Sequence, residues 1–263
     1  MFSDRSLSPL LSTVHERYAP AATVLDVETD FETLPPAVAE DLGLLADRLD
    51  PASYPADWLP ETAPAVLQRY AGEPFTVGTP DDGTVVWTTQ TEPPTVLVKQ
   101  RAENTPEDFL NFLLAEAFVQ LDCGIPEHFL PFFGARYADL DAAVGLDDAG
   151  VYQIAAALFE GWVGRQTRAV FDGWADDDDE LAPLYDAWVD AGQRLEPRLD
   201  DLSRAVAHNE MTFPEATEYA CSAIKHDLDI PTPFSALDTT AYRDHGAEYA
   251  VEWADKTFAE LQE

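Results

Sequence analysis

Two carboxylates occur where carboxylates are rare. The stretch Phe109–Leu121 (FLNFLLAEAFVQL) has only Asn111, Glu116 and Gln120 as polar side chains, and Val151–Val163 (VYQIAAALFEGWV) has only Gln153 and Glu160. A helix that is apolar nearly all round is buried. A carboxylate carried inside with it must be paired, hydrogen-bonded or protonated. Glu116 and Gln120 are four residues apart and share one helical stripe, and Gln153 and Glu160, seven apart, share another. Such a pair could perform acid–base or metal chemistry with a distant His. Arg136, Arg165 and Arg168 supply the inert alternative, an Arg-paired buried acid. The candidate buried pocket is therefore Glu116, Gln120, Gln153, Glu160 and Arg165, with no catalytic residue, metal ligand or cofactor assigned.

The elements that must position these residues follow from periodicity and punctuation. Helices are expected over 7–18, 34–49 and 61–70. The pattern then changes to β-branched and aromatic runs at Phe75–Gly78, Thr84–Gln90 and Thr95–Gln100, with turns at Pro80–Gly83 and Glu92–Pro94. These predict a small three-stranded sheet over about 74–101. From Thr105 the chain reads as helices over 106–121, 127–143, 148–173, 179–207, 213–228 and 238–262, and Pro197 is a break point within 179–207. Starts are marked by Thr105-Pro-Glu-Asp, by Asp147-Asp148 and by Thr212 before Pro214-Glu. Ala156, Ala157, Gly161 and Gly164 leave helix 148–173 slim, so a neighbour can approach closely. The fold class expected is α+β, mainly α, with the sheet packed on a helical bundle and residues 1–263 as a single domain.

The order of small sheet, buried helix with Glu, and later buried helix with Glu-Gly resembles the zinc metallopeptidases of the gluzincin type. In that family HExxH sets two His one turn apart on zinc, with the Glu as general base and a Glu on a later helix as third ligand. Here Leu114–Leu121 (LAEAFVQL) aligns with the motif and Glu116 matches the base. Within Leu158–Trp162 (LFEGW), Glu160 matches the third ligand. The two His positions hold Ala115 and Val119. The resemblance covers about 75–170 and implies a scaffold without its zinc. The five His, at 15, 128, 208, 226 and 245, form no ligand spacing. His208 and His226 read as caps or loop residues, and Trp162, Trp174, Trp188 and Trp253 as core. The run Asp176–Glu180 reads as a solvated loop.

Charge bounds the partners. Fifty Asp and Glu stand against 15 Lys and Arg, only three of them Lys, for a formal charge of −35. A surface of that sign excludes nucleic acid and anionic membranes as partners. The acids are spread along the chain, and at roughly 1 M salt, with a Debye length of ~3 Å, their repulsion is screened. Distributed acid, scarce Lys and Asp in excess of Glu resemble the proteins of salt-in halophiles, and the chain as a whole resembles a haloarchaeal family of unknown function. No stretch of 18 apolar residues and no leader occurs, so a cytoplasmic protein is expected, with Cys123 and Cys221 as reduced, buried thiols. The functional expectation is a non-catalytic, peptidase-like scaffold that binds a peptide or protein partner. The alternatives are a hydrolase or metal enzyme built on Glu116 and Glu160, and a purely structural or assembly protein.

Overall fold

A computed structural model of the chain describes residues 2–28, 31, 36–72, 77–78, 83–176 and 180–261. It is α+β, mainly α, as its sequence implies. In chain order the elements are β1 (Phe2–Asp4), α1 (Pro9–Tyr18), β2 (Thr23–Val27), α2 (Pro36–Gly43), β3 (Arg48–Leu49), α3 (Ala65–Gly72), β4 (Val85–Thr88), β5 (Thr91–Glu92), β6 (Thr95–Val98), α4 (Glu107–Asp122), α5 (Phe129–Phe133), α6 (Arg136–Val144), α7 (Asp148–Gly173), α8 (Ala182–Leu199), α9 (Leu202–Ala207), α10 (Phe213–Ile224) and α11 (Thr240–Leu261). The chain divides into two compact units, described in turn.

The first unit comprises 1–55, 65–127 and 176–187. Its sheet has four strands in the order β1-β2-β6-β4, with β2 and β6 parallel and both outer pairs antiparallel. A second ladder pairs β3 with β5. The expected three-stranded sheet is thus corrected: β1 and β2 come from N-terminal stretches on either side of the first expected helix, for which no strand was expected, and Val77–Gly78 form no strand. Phe75 and Thr76, with Pro80–Asp82 of the expected turn, lie outside the described residues. Every residue of β6 is buried, as a central strand covered on both faces must be. One face carries Leu25, Val27, Val86 and Leu97 into an apolar cluster with Phe2, Phe31 and Leu42. The opposite face carries Trp87 toward α4, against which α1 also packs. His15 of α1 meets the Phe118 ring edge-on at 5.0 Å and makes a 2.8 Å hydrogen bond with the Ala22 carbonyl. Within the acidic run, residues 177–179 lie outside the described residues, while the Glu180 carboxylate accepts from the Thr13 hydroxyl at 2.9 Å.

The second unit comprises 56–64, 128–175 and 188–263. Its axis is α7, whose start is fixed by the Asp147 carboxylate accepting from the Gly150 N–H at 2.9 Å. The slim side of α7 receives α10. A Cβ at Gly161 would sit 3.1 Å from Cys221 Sγ, and one at Gly164 would sit 2.9 Å from the Lys225 backbone nitrogen. Tyr242 of α11 is fully buried and donates its hydroxyl to the Leu158 carbonyl of α7. The segment expected as one helix over 127–143 is two, because Gly134, at φ 54°, turns the chain between α5 and α6. Pro197 sits inside α8, and the 179–207 break falls after Leu199. Trp174, Trp188 and Trp253 are core and Trp162 is half-buried. No described helix is long and apolar enough to cross a membrane.

Candidate functional site

Glu116 and Gln120 lie in the first unit and Gln153, Glu160 and Arg165 in the second. Glu116 is 8% exposed on α4. One turn on, the Gln120 amide oxygen accepts from Trp87 Nε1 at 2.8 Å, tying α4 to the edge strand β4. Ala115 and Val119, at the two expected His positions, are fully buried, and among the described residues no group of three His, Cys, Asp or Glu could hold a metal ion.

Glu160 is exposed, which corrects its assignment to the interior, and Gln153 is half-buried. The slim Gly161–Gly164 side of α7 is the side turned inward. Arg165 reaches Asp238 at 2.8 Å, and Arg168 bridges the same carboxylate at 2.8 Å and Asp227 at 2.9 Å. Arg136 pairs with exposed Glu248 at 3.7 Å. The arginines foreseen as partners of the helix glutamates thus bind acids of later loops and helices. Cys123 is exposed and Cys221 buried, and both are free, so the reading of two buried thiols holds for the second alone. His208 makes a hydrogen bond with the Arg204 carbonyl at 2.8 Å, closing α9 as a cap does. His226 lies in the turn after α10, wedged beside Gly192 and stacked on Trp188 at 5.9 Å, and burial pulls its pKa down to about 4.

The residue that sequence reasoning missed is Glu127, at the end of the first unit. Its Oε1 accepts from the Thr89 N–H at 2.6 Å and from the Thr89 and Thr88 hydroxyls at 2.9 and 3.0 Å. Its Oε2 accepts from the Gln90 amide at 3.0 Å. Gln90 is itself buried and accepts from the Ala52 N–H at 3.0 Å. One carboxylate therefore clamps the turn between β4 and β5. Among the described residues every group bonded to it is neutral, and no Lys, Arg or His reaches it.

The ladder decides which backbone groups of β4 are open. Lys99 N–H donates to the Thr84 carbonyl at 2.9 Å, so Thr84 faces Lys99 as a hydrogen-bonded pair. In an antiparallel ladder such pairs alternate with non-bonded ones. Val86 and Thr88 therefore bond to β6, while the N–H and C=O of Val85 and Trp87 point away from it. Thr89 continues the outward series, and Glu127 fills its N–H. Among the described residues β4 pairs with β6 alone.

These features define a mainly helical α+β protein whose mixed sheet ends in an antiparallel edge strand lying against the helix of a buried glutamate. The chain belongs to a family of unknown function (DUF7089), whose sequence profile matches residues 1–261. No curated protein and no solved structure matches it.

Proposed function

We propose that this protein is a non-catalytic, peptidase-like scaffold that takes an extended peptide, or an extended segment of a partner protein, as an added strand on β4. The observation that carries this reading is the outward N–H and C=O of Val85 and Trp87. Strand addition draws its affinity from such main-chain groups and its selectivity from alternate side chains. The peptidase likeness is supported by the arrangement around them: β6 leads through a 3-10 turn to α4, β4 runs antiparallel beside β6, and Trp87 joins β4 to the helix of Glu116. Ala115 and Val119 supply no zinc ligand, which supports binding without hydrolysis. The charge of −35 with three Lys supports a salt-rich cytoplasm of a halophile as the setting.

The test is a random peptide library panned on the wild-type protein and on Val85→Pro in molar KCl. Proline at an outward edge position removes the donor that a peptide needs and leaves the β6 ladder its own hydrogen bonds. Enrichment on wild type that Val85→Pro abolishes is the expected result. No enrichment, or equal enrichment on both, overturns the reading.

A further inference from the structure

We propose that the peptide on β4 runs antiparallel to it and delivers a free α-amino group to Glu127. The inference rests on the strand-addition reading and specifies its ligand. Glu127 occupies the position at which an added strand would next meet β4: its Oε1 takes the outward N–H of Thr89, as a peptide carbonyl would. An added strand can therefore use Val85 and Trp87 and must end before Thr89. What ends there depends on direction. A parallel strand would bring its C-terminal carboxylate toward the Glu127 carboxylate, like charge against like. An antiparallel strand brings its N-terminus, an ammonium group.

Charge accounting favours the second. Glu127 is half-buried and held by two hydroxyls, one backbone N–H and one amide, and none of these donors carries a positive charge. Neutral donors orient the carboxylate without cancelling its charge. Its four donors match the four acceptor sites of a carboxylate, and the Thr88 hydroxyl is shared, 3.0 Å from Oε1 and 3.1 Å from Oε2, so an arriving N–H at Oε2 takes over that share and leaves the hydroxyl on Oε1. An ammonium supplies that donor and the missing charge together, the charge-assisted kind of hydrogen bond that is the stronger. Capture of a peptide N-terminus would thus set both the register and the direction of the added strand.

The test uses the full chain in molar KCl and an equimolar mixture of random hexapeptides with free and with N-acetylated termini, the bound fraction being read by mass spectrometry. Wild type should retain free-amine peptides about tenfold or more over acetylated ones, the ratio that one charge-assisted contact supports. Glu127→Gln should bring the ratio near one. The comparison of free with acetylated peptides on wild type needs no variant, so it stands even where Glu127→Gln unsettles the turn. Equal retention of the two pools by wild type, both above Val85→Pro, overturns amine capture and leaves strand addition intact. Retention of both pools no better than by Val85→Pro overturns strand addition, and this inference with it.

Discussion

Replacing Asp238 with Ala should cost this protein more stability than any single surface change. The Asp238 carboxylate receives Arg165 at 2.8 Å and Arg168 at 2.8 Å, and the three side chains are 20%, 11% and 20% exposed in that order. Arg168 keeps Asp227 at 2.9 Å and the Ile224 carbonyl at 3.3 Å, whereas Arg165 has no second carboxylate among the described residues. The change therefore strands one nearly buried guanidinium. Breaking a fully buried pair from one side costs about 3–5 kcal/mol, and residual exposure of this one brings the expectation to about 2–3 kcal/mol. For a chain of this size that corresponds to a fall in Tm of roughly 4–12 °C. The assay is urea unfolding in constant molar KCl, followed by far-UV circular dichroism. Asp190→Ala, which removes an exposed partner of Arg194, is the control and should cost under ~0.5 kcal/mol. Adding Arg165→Met to Asp238→Ala should recover ~1 kcal/mol or more, because an apolar stem of similar length replaces the stranded charge. Asp238→Ala within ~0.5 kcal/mol of wild type, or no recovery in the double variant, would refute the reasoning.

Gly164→Ala should destabilise by ~1 kcal/mol or more, since its Cβ would meet the Lys225 backbone at 2.9 Å and outweigh alanine's helix preference. Gly173→Ala, with nothing within 4 Å of the added carbon, should stabilise by about 0.5 kcal/mol in the same urea assay. Far-UV circular dichroism across a KCl series should show loss of the fold below 0.1 M; an intact melt there would refute the salt requirement. The folded-state pKa of His226 is pulled down from 6.5 to about 4, so the unfolded chain takes the proton first as pH falls. Stability should decline between about pH 6.5 and 4, by up to ~3 kcal/mol from this residue, and His226→Gln should flatten that part of the profile.

The helices were largely legible because their signals are local. Helix α7 begins after the Asp147 cap and ends at Gly173 as its sequence says, and α10 carries the Thr212–Glu215 capping box that its first turn implies. The close fit on α7 was legible too, since only Gly161 and Gly164 leave room for it. Strands β1 and β2 were not: three and five residues long, β2 gains its meaning from pairing with β6, some seventy residues on, and β1 from pairing with β2. Glu160 misled because the partly exposed side of α7 is only a narrow stripe, Tyr152, Gln153, Ala156 and Glu160, within a run whose other positions, Trp162 apart, are buried. Glu127 left no trace, because its donors at Thr88, Thr89 and Gln90 are 37 to 39 residues upstream and it is one acid among fifty.

The packing of α7 on α10 has a practical consequence. Cys221 is wholly enclosed beside Gly161, and burial pushes its thiol well above the ordinary range, so the folded chain should offer an alkylating reagent Cys123 alone. Unfolding exposes the second sulfur. Mass spectrometry that counts one adduct or two would read separation of this helix pair directly, with no dye and no engineered probe.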